Sequence, residues 1–238
     1  MPDKSLAGKK IAVLVESQYI PAEIKCYQER FASYGAEVHL MSYLWDQPKQ
    51  TFVSEVEEAG VMPETLDVSI DFTKVTLEDY AAVIMAANYT SVRLRWNEAA
   101  IAAADPALAV QEAPAVRFLR RAMRNPAIVK ALPCHALWLL TPCPDLLAGR
   151  QVTCNPCVLA DVLNAGATFV PPPAGADWQT HIVIDRDLVT TCSARAGPAL
   201  VDVVRDLVNV AAIGMSSSTS PPPDHTQEPI REQTSSWG

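Results

Sequence analysis

The chain has 238 residues, 49% of them hydrophobic, and sets 19 Lys and Arg against 27 Asp and Glu for a formal charge of -8. This length holds one large α/β domain with elaborations or two small domains, and the apolar share supplies a sizeable core. The acidic balance argues against nonspecific binding to nucleic acid or to anionic membranes, which need clustered basic side chains, and favours a small-molecule substrate.

No apolar stretch approaches the length of a spanning helix, and residues 1–5 lead into a strand-like segment without a secretory h-region, so a cytoplasmic protein is expected. Residues 10–15 form a short, β-branched apolar run, the pattern of a strand buried on both faces. Ile20, Ile24, Tyr27 and Phe31 follow at helical spacing, with Pro21 suited to a first turn and Gly35 to a stop. Residues 37–41 give a second strand, which predicts a right-handed β-α-β unit and a parallel sheet. The stretch 45–76 reads as a hairpin-bearing excursion in which 67–71 is a small surface strand, and 80–85 resumes a buried strand. Residues 91–125 are Ala-rich and read as helical, with Val116, Leu119 and Met123 on one face.

Residues 127–132 then lead to Cys134. An apolar run stops there and an apolar helix is expected to begin, so the thiol lies on a strand-to-helix turn near the positive end of a helix dipole. That placement predicts a lowered thiol pKa and a reactive centre, against the alternative of a buried, inert cysteine. Beyond it, 149–153 and 167–170 read as strands, 156–165 as a helix stopped by Gly166, 181–190 as two strands around an Asp-Arg-Asp turn, and 199–211 as a closing helix. Cys154-Asn155-Pro156-Cys157 has the spacing of a redox dithiol, with pocket lining or packing as the alternative. The six cysteines are otherwise scattered, as in a reducing compartment, and an exposed disulfide pair stays open. From residue 216 onward Ser, Pro, Thr and charge dominate, so the tail is expected to be disordered or loosely docked, with Trp237 as a docking residue.

Taken together, residues 10–15 with Glu23 in the next helix, the elbow 134–140, and the segments 146–153, 164–167 and 187–190 resemble the ThiJ/PfpI superfamily over most of residues 9–211. The resemblance implies a flavodoxin-like three-layer α/β sandwich with a mainly parallel sheet and a nucleophile elbow. It also implies a kinship with class I glutamine amidotransferases and, commonly, a homodimer. The domain is assigned to 9–213 and the tail to 214–238. The resemblance further implies that Cys134 is the nucleophile and that Glu23 is a carboxylate facing it, protonated and hydrogen-bonded to the sulfur. Burial near an anion should raise the pKa of that acid. Two roles are open for His135: a base completed by an acid from a neighbouring subunit, or a backbone N–H in an oxyanion hole.

The chain departs from the family where a Pro-Gly-Gly loop is usual and Met85-Ala86-Ala87-Asn88-Tyr89-Thr90 stands. Asn88 tolerates left-handed backbone and so preserves an oxyanion site, or binds substrate through its side chain. Ala87, Asn88, Tyr89 and Asn155 are the expected substrate or oxyanion residues, Trp138 a pocket wall or core residue, and Cys26 a neighbour of Glu23 on its helix face. No metal and no cofactor is expected. These assignments point to a hydrolase or hydratase acting on a small electrophilic carbon (carbonyl, amide or isonitrile) through a Cys134 adduct. The alternatives are a glyoxalase III-like lyase and a redox-sensing stress protein that oxidises Cys134.

Overall fold

The computed structural model describes residues 3–56 and 60–217. Strand β1 (Lys10–Leu14) is buried over its last four residues, as its unbroken apolar run requires. Helix α1 (Pro21–Ser33) buries Ile24, Tyr27 and Phe31 on one face together with Glu23, and Gly35 beyond its end adopts φ +85°. Strand β2 (Glu37–Ser42) returns parallel to β1.

The excursion that follows contains an antiparallel hairpin, β3 (Gln50–Val53) and β4 (Thr65–Val68). The strand expected at 67–71 divides: its first half ends β4, while β5 (Ile70–Asp71) joins the main sheet beside β2. The hairpin braces the β1–α1 loop, where the Gln18 N–H donates to the Val53 carbonyl at 2.7 Å and the Glu55 N–H to Tyr19 at 3.0 Å. Strand β6 (Tyr80–Met85) then pairs with β1 on the side opposite β2.

Residues 91–125 are not one helix. They form α2 (Thr90–Leu94), α3 (Pro106–Ala109) and α4 (Pro114–Met123), with 3-10 turns between them. Pro106 and Pro114 each lack the N–H that a continuing helix needs and so begin new helices. The expected face of Val116, Leu119 and Met123 is buried.

Strand β7 (Val129–Pro133) is buried throughout and delivers Cys134. No α-helix begins there: a 3-10 turn spans Ala136–Leu139, and α5 (Pro144–Leu147) is short. Strands β8 (Gln151–Val152) and β9 (Thr168–Phe169) pair only with each other, on either side of α6 (Leu159–Asn164), which a 3-10 turn at Pro156–Val158 precedes. The predicted hairpin is β10 (Ile182–Asp185) and β11 (Leu188–Thr191), turning through Arg186 at φ +58°. Helix α7 (Gly197–Ser217) closes the fold against α1 and passes the expected boundary at 213; the rest of the tail, Trp237 included, lies outside the described residues.

The main sheet runs β10-β11-β7-β6-β1-β2-β5, with only β10 antiparallel. Helices flank it on both sides, which is the expected flavodoxin-like α/β architecture. From β1 the chain winds one way to β2 and β5, then crosses to β6 on the far side of β1. The β1/β6 boundary is therefore the topological switch point, the place where open α/β sheets bind ligands at the C-terminal strand ends. Among the described residues no helix is long and apolar enough to cross a membrane.

Candidate active site

Three adjacent strands bring the predicted residues together at that end of the sheet. Cys134 follows β7, Ala87 and Asn88 follow β6, and Glu23 stands in the first turn of the helix after β1. The Ala87 N–H bridges the switch point, donating to both Glu23 carboxylate oxygens at 3.0 Å, and the Tyr27 hydroxyl donates to Oε1 at 2.7 Å. The sequence marked Tyr27 only as a member of the apolar helix face, not as a partner of Glu23 one turn before it. Burial pushes the Glu23 pKa up to about 7, against the two hydrogen bonds that pull it down and with a smaller push from Glu55. The expected upward shift is therefore present, while the hydrogen bonds of Glu23 go to Tyr27 and Ala87, and its influence on Cys134 is that of a nearby charge.

Cys134 adopts φ +57°, the strained elbow geometry, with its N–H donated to the Thr191 carbonyl at 2.8 Å. The predicted lowering of its pKa is not found. Burial dominates and pushes the thiol up to about 11, and no helix long enough to offer an opposing dipole starts at the turn. The charge of Glu23 adds to the rise. Backbone N–H groups of Asn88 and His135 and the Asn155 side chain, its Nδ2 3.6 Å from Sγ, act in the opposite sense.

Both groups of His135 named in the two roles left open for it lie at the sulfur. Its backbone N–H faces Sγ, and its Nδ1 lies 3.0 Å from the same atom. Burial lowers the His135 pKa, so the ring is a neutral base at pH 7. Tyr89 stacks on one side of it at 5.3 Å between centroids, and Trp138 leans on it at 5.1 Å. The buried Nε2 has no hydrogen-bond partner among the described residues. Trp138 is half-buried, packs against the core and donates its indole N–H to Asp161 at 2.7 Å.

Asn88 sits at φ +66°, as the left-handed expectation requires. Its side chain does not face a substrate: Nδ2 donates to the Gln18 carbonyl at 2.8 Å and to Glu55. Ala87 likewise has its N–H engaged by Glu23, which leaves the backbone of Asn88 and His135 as the donors at the sulfur. Gln18, itself at φ +68°, is a second brace that no sequence signal marked. Asn155 N–H also donates to the Cys134 carbonyl at 3.1 Å, which fixes the elbow from the β8 side.

The dithiol reading is not supported by the geometry. All six cysteines are free; Cys154 is buried, with its pKa pushed to about 12, whereas Cys157 is exposed. What the Cys154–Cys157 segment supplies to the site is Asn155. The Cys26 sulfur lies against Gly197 at the start of α7, and burial raises its pKa with a smaller push from the charge of Glu23. Among the described residues no group of three or more His, Cys, Asp or Glu is placed to hold a metal ion.

The DJ-1/PfpI family model matches residues 103–206, the part of the chain that contains Cys134, His135 and Asn155. Over those residues the chain is similar to the DJ-1/PfpI family. The chain is also 27% identical over 184 residues to protein/nucleic acid deglycase 2 of Escherichia coli (strain K12), covering 77% of this chain and 88% of that protein. In fold, it is similar to a ThiJ/PfpI domain protein from Brachyspira murdochii (TM-score 0.65, 12% identity, 86% of this chain and 98% of the other). Schizosaccharomyces pombe DJ-1 is similar as well (TM-score 0.59, 12% identity, 90% and 100%). The ThiJ/PfpI resemblance stated from the sequence thus holds in sequence over residues 103–206 and in fold.

Proposed function

We propose that this DJ-1/PfpI-type chain is a cysteine-dependent hydrolase that releases a small electrophilic carbonyl group through an adduct on Cys134. The observation that carries the reading is the elbow thiol with a neutral imidazole nitrogen 3.0 Å away and two backbone N–H groups beside it. Sγ attacks the carbon that bears the amine or thiol as its proton passes to His135 Nδ1, and the C–N or C–S bond breaks with that proton leaving on the amine or thiol. Water then displaces Sγ, releasing the carbonyl compound as its hydrate and restoring the thiol, so no standing thiolate is needed. The N–H groups of Asn88 and His135 stabilise the negative charge that develops, and Glu23, titrating near 7, exchanges the proton that the leaving group or water requires. Similarity to a deglycase favours carbonyl adducts of amines or thiols over simple amides and isonitriles. A homodimer whose second subunit supplies an acid to the orphaned His135 Nε2 belongs to the same proposal, as does a reducing cytoplasmic setting.

The test offers a preformed adduct of an α-oxoaldehyde with a thiol or an amine, and the free aldehyde separately. Release of thiol or amine above the spontaneous rate, lost in Cys134→Ala and reduced about 10²–10⁴-fold in His135→Ala, supports the hydrolase. Conversion of the free aldehyde alone, with uptake of one water, to the α-hydroxy acid replaces it with the glyoxalase-type lyase. No turnover of either, with stoichiometric peroxide oxidation of Cys134, replaces it with the redox sensor.

A further inference from the structure

A cavity of about 240 Å³ opens at the same end of the sheet and is lined by Glu16, Tyr43, Trp45, Arg93 and Trp96 among others. Trp45 and Trp96 remain 54% and 59% exposed. Tyr43 and Trp45 form a corner, with ring centroids 4.6 Å apart and planes inclined at 60°. Trp45 holds φ +51° and Asp46 φ +61°, a costly conformation for an indole-bearing residue. The loop is pinned in it, with the Leu44 carbonyl accepting from Gln47 N–H at 2.9 Å and from Gln50 Nε2 at 3.0 Å. The fold therefore maintains strain that presents an aromatic face to the cavity instead of burying it.

Glu16 and Arg93 share this cavity without forming an ion pair with each other among the described residues. The Glu16 carboxylate accepts from the Ser17 N–H, and Arg93 Nε donates to Gln18 Oε1 at 3.4 Å, leaving the terminal guanidinium donors for another partner. An anion alone would meet the Glu16 charge, and a cation alone that of Arg93. A flat neutral ring wants parallel walls, which a 60° corner does not give. An alkylated ammonium fits an aromatic corner beside an acid, and a carboxylate fits a guanidinium fork.

We propose that this cavity binds a small zwitterion, its ammonium end in the Tyr43–Trp45 corner beside Glu16 and its carboxylate on Arg93, with Trp96 as a further lining residue. Cys134 does not line this cavity, so binding is tested on the full chain carrying Cys134→Ala. Calorimetric titration uses glycine betaine, with choline and acetate as half-ligands. Saturable betaine binding at least tenfold tighter than either half-ligand is expected. Arg93→Ala should weaken betaine at least tenfold and leave choline unchanged, while Trp45→Phe, which keeps an aromatic face on the strained loop, should retain binding that Trp45→Ala loses. Absence of saturable betaine binding overturns the proposal. So does choline or acetate binding as tightly as betaine, or guanosine binding more tightly.

Discussion

Glu23 is an acid placed where its charge is costly, and the cost depends on pH. Its folded pKa of about 7 lies above the 4.5 of an ordinary glutamate, so between those values the folded chain keeps a proton that the unfolded chain has released. Stability is therefore highest below that window and falls as pH rises through it, by about 3 kcal/mol in all. Glu23→Gln keeps an acceptor for Tyr27 and Ala87 but carries no charge. The wild type should lose about 3 kcal/mol more than this variant between pH 4.5 and pH 8 in urea unfolding, and equal losses would show that Glu23 ionises freely. Helical spacing places Glu23 near Ile24 and Tyr27, but spacing cannot distinguish an acid in an exposed first turn from one buried over a sheet. Only the family resemblance made that distinction. The state of Cys134 was misjudged for a related reason: the dipole argument needs a helix, and the apolar residues after the cysteine form a 3-10 turn instead.

The loop from β6 to α2 controls the geometry at the sulfur, because its two N–H groups go to different partners: Ala87 to Glu23 and Asn88 to Cys134. The Asn88 side chain holds this arrangement by bonding to Gln18 and Glu55. Asn88→Ala loses those bonds and places a methyl-bearing residue at φ +66°, for an expected loss of about 1–2 kcal/mol. Asn88→Gly relieves the backbone and loses only the side-chain bonds. Thermal unfolding should therefore rank wild type above Asn88→Gly and Asn88→Gly above Asn88→Ala; an alanine variant as stable as the glycine variant would show that the left-handed backbone carries no cost. Elements buried on both faces were the most legible in the sequence, since β1, β6 and β7 need unbroken apolar runs and α4 needs one apolar stripe. Residues 91–125 misled because alanine suits α-helix and 3-10 turn alike, and the breaks at Pro106 and Pro114 were not given their weight. The strands β8 and β9 are too short for any period to mark their partner.

Across the whole molecule, the site sits at one end of the parallel strands and a buried ionic network knits the sheet farther down. Lys130, with a fully buried side chain in the middle of β7, pairs with Asp187, and Arg150 binds Asp187 at 3.0 Å and Asp185 at 2.8 Å. These groups tie β7, β8, β10 and β11 together across a hairpin turn and a separate small sheet. In the sequence Lys130 was a single charge inside an apolar run, and no local pattern indicates that its partner lies 57 residues away. Burial pulls the Lys130 pKa down while Asp187 holds the charge in place. Lys130→Met fills the space but leaves Asp187 with Arg150 alone, and removing one member of a buried pair costs about 3–5 kcal/mol. The lower end is expected here because Arg150 remains. Four residues of strand, about 13 Å, separate Lys130 from Cys134, so the network should stabilise the elbow without tuning its chemistry. Lys130→Met is therefore expected to lower the urea midpoint with an unchanged slope while the pH profile of Cys134 alkylation stays that of the wild type. A shifted alkylation profile in a variant that remains folded would show instead that the network reaches the thiol along β7.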